Sequence, residues 1–492
     1  MSNIALRRLY SAGQSRAVDR CAIDEHGLAG PRLMARAARA AFARLLREVP
    51  EPGCLQILCG PGNNGGDGRL LAILAAGRGI PVTLYEVGGA ARSDDAVRAA
   101  QRAAGAGLEA RPYEGALARH GIIVDAMLGT GIRGAPRDAY ARAIRAVREA
   151  ARPVLALDVP TGVDSDTGHA AGEAIVADWT VSFITAKRGL YTGAGPAHAG
   201  AVSVDDLGVP AAAFDAAGHA WEVLDLEAEL QQLPARDAGA HKGRFGRCLL
   251  IGGDEGMGGA IILASEAALR TGAGLARAAT RAANILPLLA RRPECMTAVI
   301  DHRNDLEAQL PWADALVVGP GLGQAPWGEQ LLHAALGAGK PMILDADALN
   351  LIAAGGSRSL PPGCVVTPHP GEAARLLGMS TSEVQADRYA AALALAERLD
   401  AAVVLKGQGS LVAARGAGWL CTAGNAGMAS GGMGDVLSGV IGALLAQGLD
   451  AASAARLGTV LHSCAADRAA ILRGRSALLA SDVSTALGEL LP

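Results

Sequence analysis

The sequence predicts a soluble α/β protein, its first half a doubly wound parallel sheet and its second half another α/β layer fold. Three observations predict it. Short apolar runs alternate with stretches that carry Ala and Leu at helical spacing. Glycine-rich turns follow several of those runs at once, and the polar residues gather in the turns. At 492 residues the chain is longer than one comfortable core, so more than one domain is expected.

Composition narrows the class. Half of the residues are hydrophobic, 65 are Gly and only 3% are aromatic, which favours a folded α/β chain with tight turns over a disordered one. Mean hydropathy is positive, yet no uncharged apolar run reaches the length of a membrane span. A net charge of -3 supplies no basic field for nucleic acid. The eight cysteines are scattered without a C-x-x-C pair, which argues against zinc and disulfides and for a reducing compartment. Arg7, Arg8, Arg16 and Arg20 open the chain without an apolar stretch behind them, so no secretory signal is read there. The expected location is the cytoplasm.

In the first half, residues 11–48 read as a helical opening. Leu55-Gln-Ile-Leu-Cys59 reads as a buried strand that runs into Gly60-Pro-Gly-Asn-Asn-Gly-Gly-Asp-Gly68, with a helix expected over 69–78. Strand, glycine loop and helix present a ligand site at the carboxyl edge of a parallel sheet. Val82-Thr-Leu-Tyr85, Ile122-Ile-Val-Asp125, Pro153-Val-Leu-Ala-Leu-Asp158 and Trp179-Thr-Val-Ser-Phe183 repeat the strand signal. Asn63, Asn64, Asp67, Asp125, Asp158 and Thr161 then fall on one rim. Amide, carboxylate and hydroxyl oxygens are hard ligands suited to a cation. The plainer reading is that Asn and Gly make turns and each Asp caps a helix.

These segments, with Val124-Asp-Ala-Met-Leu-Gly-Thr-Gly-Ile-Arg-Gly134 and Leu157-Asp-Val-Pro-Thr-Gly-Val-Asp164, resemble the NAD(P)H-hydrate epimerase family. The resemblance implies a Rossmann-like unit over residues 1–224, with a potassium ion held by Asn64, Asp125 and Thr161. It implies that Asn63, Asn64, Gly65, Gly66 and Asp67 hold the hydrated dinucleotide. Gly129, Thr130, Gly131, Ile132, Arg133, Gly134 and Ala135 would help, and Asp158 would face the reacting ring. The family usually has Ser where this chain has Thr161, so the hydroxyl is retained.

Between Asp205 and Leu233 the pattern dissolves without a clear strand, and the boundary is placed there. The second half then opens with His241-Lys-Gly-Arg-Phe-Gly246 and the apolar run Cys248-Leu-Leu-Ile-Gly-Gly253. Further strand signals end in Gly319-Pro-Gly-Leu-Gly323, Asp345-Ala-Asp347, Thr367-Pro-His-Pro-Gly371 and Lys406-Gly-Gln-Gly-Ser410. Last comes Gly431-Gly-Met-Gly-Asp435 before an apolar helix expected over 436–447. Glycines at a helix start leave backbone N–H groups free for a phosphate, and Asp435 there suits either a cap or a catalytic base. Lys406 suits nucleotide phosphates or an ordinary surface position. His369 is stiffened by its two flanking prolines, Glu372 favours a helix start, and Asp345 and Asp347 suit either a Mg–phosphate group or loop caps.

As a set these motifs resemble the ADP-dependent NAD(P)H-hydrate dehydratase family, whose fold is similar to that of ribokinase-like kinases. The resemblance implies a ribokinase-like unit over residues 225–492 that uses Mg²⁺ with ADP. Lys406, Gly407, Gln408, Gly409, Ser410 and Gly434 would contact the nucleotide. Ala260, Gly323, His369 and Asp435 would contact the hydrated dinucleotide. The family often has Pro where this chain has Ala426, a change that removes no catalytic group. The implied partners are NADHX, NADPHX and ADP, in a homo-oligomer, with no nucleic acid and no membrane. The rival reading is a kinase for a small alcohol whose first half only binds.

Overall fold

The computed structural model describes residues 7–132, 134–237, 239–355 and 360–492. The chain forms two compact units, Met1–Glu222 and Val223–Pro492, dividing beside the join expected between 224 and 225. Among the described residues no helix is long and apolar enough to cross a membrane.

The first unit contains β1 (Arg8–Tyr10), β2 (Leu55–Cys59), β3 (Val82–Glu86), β4 (Arg111–Pro112), β5 (Ile122–Ala126), β6 (Val154–Leu157), β7 (Trp179–Phe183), β8 (Ala186–Lys187) and β9 (Ala201–Asp205). Its main sheet runs β4-β3-β2-β5-β6-β7-β9, parallel throughout. Alternate residues of β2 feed opposite cores: Leu55, Ile57 and Cys59 pack on one face, Leu58 on the other. Burial on both faces explains why these strands read as continuous apolar runs. Strand order reverses between β2 and β5, which opens a crevice at their carboxyl ends.

Three local expectations change. The helical opening is two helices, α1 (Ala12–Asp24) and α2 (Gly30–Glu48). Ser11 and Gln14 form a capping box at the start of α1, and Pro31 sits in the first turn of α2. The helix after the first glycine loop, α3 (Asn63–Gly77), begins well before residue 69. Its glycines serve close packing, since a Cβ on Gly65 would lie 1.9 Å from the Gly60 carbonyl and one on Gly68 would lie 2.5 Å from Ala126. The stretch before residue 233 does hold a strand, β10 (Trp221–Val223), which pairs antiparallel with β1. Three residues are too few to show a period.

In the second unit the strands are β11 (Arg247–Ile251), β12 (Leu275–Thr280), β13 (Met296–Val299), β14 (Ala315–Val318), β15 (Met342–Leu344), β16 (Cys364–Val366), β17 (Ala402–Leu405), β18 (Ser410–Ala414) and β19 (Ala417–Cys421). They run β13-β12-β11-β14-β15-β16-β17-β18-β19, parallel as far as β17 and antiparallel beyond it. Order reverses between β11 and β14. The helix that follows the last glycines, α4 (Met433–Ala446), is buried almost all round, as its unbroken apolar sequence requires. It packs against the helix Gly258–Arg270, where a Cβ on Gly439 would lie 2.1 Å from the Ala264 carbonyl.

Candidate active sites

A cavity of about 580 Å³ occupies the crevice of the first unit. Asn63, Asn64 and Asp67 reach it from the start of α3, Gly129, Thr130 and Gly131 from the loop after β5, and Asp158 from the end of β6. Of the other expected residues, Gly65 and Gly66 are buried inside α3 and do not line it. Neither do Ile132, Gly134 and Ala135, and Arg133 lies outside the described residues.

Asp158 adopts a left-handed φ of 66°, which costs a non-glycine residue about 1–3 kcal/mol. Its N–H donates to the Val181 carbonyl at 2.7 Å. Oδ1 meets the Lys187 Nζ at 2.6 Å, an ion pair in which the lysine side chain is 3% exposed. Sequence reasoning missed Lys187. The available signal was a lysine inside a largely apolar segment just after β7. Asp67 is also buried, and burial, then the neighbouring charges of Asp158 and Asp19, push its carboxyl well above the usual range.

Asp125, Thr161 and Asn64 meet at the same rim. The Thr161 N–H and hydroxyl donate to the two Asp125 oxygens, each at 2.7 Å, and Met127 N–H donates at 3.2 Å. Thr161 Oγ1 also accepts from Leu128 N–H at 3.1 Å. Burial pushes Asp125 up to about 6 despite these bonds. The Asn64 side chain has both polar atoms buried and without a partner. A buried amide oxygen with no donor beside a carboxylate and a hydroxyl makes an oxygen set that fits a hard cation.

In the second unit Lys406 leaves β17 and pairs with Asp345 Oδ1 at 2.7 Å. Its side chain is 22% exposed, so it is not a solvated surface lysine. Ser438 donates to the other Asp345 oxygen at 2.9 Å. A Cβ on Gly434 would stand 3.3 Å from both Lys406 Nζ and Asp345 Oδ2, so a glycine there lets the first turn of α4 close on the pair. The loop after β17 is held from behind by Arg388, fully buried, which donates to the carbonyls of Leu405, Lys406 and Gly409 at 3.2, 3.3 and 3.5 Å. Gly407 has φ 139° and Ser410 Oγ donates to its carbonyl at 3.1 Å. Gln408 lies in the same loop.

Asp435 lies within the first turn of α4 and caps nothing; the cap position is Gly432, at φ 88°. Burial first, then the charges of Asp345 and Asp347 against that of Lys406, push Asp435 up to about 7. His369 caps the helix Pro370–Leu377, its Nδ1 accepting from Gly371 N–H at 3.0 Å and its Nε2 3.3 Å from Glu372. Burial and then the nearby Lys406 charge hold the imidazole below its ordinary pKa. Asp347 accepts from Gly323 N–H at 3.0 Å, and Ala260 stands 3.3 Å from a Cβ placed on Gly321 of the same turn. Asp347 thus ties the Ala260–Gly323 corner to the electrostatics of Asp435.

Fold and sites define an α/β protein with two candidate active sites, a carboxylate-lined cavity in a Rossmann-like unit and a lysine–carboxylate centre in a ribokinase-like one. Residues 248–488 match the family described as NAD(P)H-hydrate dehydratase, and residues 30–189 match the family described as the N-terminus of YjeF-related proteins. The bifunctional NAD(P)H-hydrate repair enzyme Nnr of Coxiella burnetii is 45% identical over 96% of this chain and 97% of its own. That of Escherichia coli is 42% identical over 97% and 93%. A crystal structure of a ribokinase-like superfamily protein from Enterococcus faecalis superposes with a TM-score of 0.51 at 31% identity, covering 55% of this chain and 94% of that one. The chain belongs to the bifunctional NAD(P)H-hydrate repair enzymes, an epimerase unit followed by a dehydratase unit. This membership decides against the small-alcohol kinase.

Proposed function

We propose that the first unit interconverts the R and S hydrates of NADH and NADPH with Asp158 as acid–base group, and that the second dehydrates the S hydrate at the expense of ADP. In the first reaction the carbon bearing both OH and ring nitrogen opens transiently, and a carboxylate beside it moves the hydroxyl proton. Asn64, Asp125 and Thr161 would hold potassium, which supplies fixed positive charge near the pyrophosphate-bearing substrate. Asn63, Asp67, Gly129, Thr130 and Gly131 would grip the dinucleotide.

In the second reaction Asp435 takes the hydroxyl proton while that oxygen attacks the terminal phosphorus of ADP, and AMP leaves. The ring-nitrogen lone pair then expels phosphate, and loss of the adjacent C–H proton restores the ring double bond. Lys406, the loop through Gly407, Gln408, Gly409 and Ser410, and Gly434 would hold the nucleotide. Ala260, Gly323 and His369 would hold the hydrate. Asp347 would offer hard oxygens to magnesium, which when bound supplies charge neutralisation of the phosphates.

The observation that carries this reading is Asp435: a partly buried carboxylate in a helix first turn, free of any cap, across from Lys406. The eight free cysteines support a reducing compartment, the cytoplasm. The test is to incubate the protein with mixed-epimer NADHX, Mg²⁺ and ADP and to follow NADH. Complete conversion, faster than spontaneous epimerisation, is expected. Accumulation of a stable phosphorylated hydrate would contradict the second step.

A further inference from the structure

Asp19, Asp67 and Asp158 are among the carboxylates that line the cavity of the first unit, and one buried ammonium, that of Lys187, meets Asp158. The ammonium is already committed. It lies 2.6 Å from Asp158 Oδ1 and donates to the Phe183 carbonyl at 2.5 Å. Its backbone is pinned by pairing of β8 with β1, where Lys187 stands opposite Tyr10. Among the described residues no ion pair reaches Asp19 or Asp67. The other charged groups on the wall are Arg16 from α1 and Asp95 from the helix Asp94–Gly105.

We propose that Lys187 is a positioning residue of the epimerase: by contact it selects Asp158, out of four carboxylates sharing one cavity, as the charged base. This rests on the reading of Asp158 given above. Burial holds both Asp67 and Asp19 above the ordinary carboxylate range, which agrees with that selection. The hydroxyl proton of the hydrate passes to Asp158, a carbonyl forms and the ring C–N bond breaks. Nitrogen keeps the electron pair and takes that proton back from Asp158 through solvent water. Reclosure on the other face reverses each transfer.

The test uses the full chain, with dehydratase activity as the control for folding elsewhere. Lys187→Met leaves Asp158 without its cation beside the other carboxylates of the wall, which disfavours its charged form. Epimerase kcat should fall about tenfold near neutrality, and the acidic limb of its pH profile should move up by about one unit or more. Lys187→Arg keeps the charge and should restore the limb. A loss equal at every pH, with the limb unmoved, would show a merely structural lysine and overturn the proposal. If Lys187→Met does not fold, Lys187→Gln decides: an acidic limb moved upward supports positioning, and an unmoved limb refutes it. Asp158→Asn separates the two levels. Surviving epimerisation there sinks the reading of Asp158 itself, whereas its loss beside an unmoved Lys187→Met limb sinks only the role of Lys187.

Discussion

The two units place the same pair of groups at the same place and use it in opposite ways. Each has a run of parallel strands whose order reverses, and at the carboxyl ends of those strands a lysine largely withdrawn from solvent meets an aspartate, Lys187 with Asp158 at 2.6 Å and Lys406 with Asp345 at 2.7 Å. In the first unit the lysine holds the carboxylate assigned as base. In the second it holds a bystander, and the carboxylate assigned as base, Asp435, is left without a capping bond and pushed up to about 7. The difference follows from the chemistry. A phosphoryl transfer needs its cation near the phosphates, so the lysine is tethered by a third group and its base stands apart. Opening a hydrate needs no such cation, and the lysine can serve the base directly.

The largest way to break this comparison is to remove each base in turn. Asp435→Asn should lower dehydratase kcat by about 10²–10⁴-fold while nucleotide binding and epimerisation persist. Asp158→Asn should do the converse. Both are read by following NADH with either epimer as substrate. Repair surviving in Asp435→Asn would return its loop to a well-packed helix start with no catalytic group.

A smaller effect lies in pH. Asp435 works as a base only when ionised, and its pKa is raised to about 7, so dehydratase kcat should fall about tenfold per unit as pH drops below that value. Asp345→Asn removes a negative neighbour and frees Lys406 of its partner. Both changes favour the ionised form of Asp435, so the limb should move to lower pH. A limb that stays put would show that the charge of Asp345 does not reach Asp435.

Much of this was legible in the chain because parallel strands buried on both faces read as unbroken apolar runs, and their glycine turns stand at the carboxyl ends. The runs at 55–59, 122–126 and 402–405 could hardly be anything else. Less legible was what each glycine does. Gly65 and Gly66 read as part of a ligand-binding loop, whereas their neighbours leave no room for a Cβ; the Met34 side chain lies 2.7 Å from one placed on Gly66. Least legible were partners far apart in sequence. Nothing near Lys187 names Asp158, nothing near Arg388 names the loop it braces, and Asp345 shows its lysine only once β15 and β17 are both in the sheet. Periodicity records which face a residue occupies, not which distant side chain it meets there.

The smallest expected effect is on stability, and its sign differs between the units. Because Asp435 has a folded pKa above the unfolded one, its native state gains by binding a proton, and that gain is lost as pH rises from about 4 through about 7. Asp435→Asn removes the penalty of a buried charge, so at pH 8 the variant should be more stable by about 1 kcal/mol, and below pH 4 no different. Asp158→Asn instead strands the Lys187 ammonium, 3% exposed, without its counterion, and should cost about 3 kcal/mol at neutral pH. Thermal or denaturant unfolding of the two variants at pH 8 measures both. Opposite signs would confirm that one unit spends stability on an unpaired base while the other builds its base into the ion pair that holds it. The same sign in both would mean that the two lysine–aspartate pairs differ in position only.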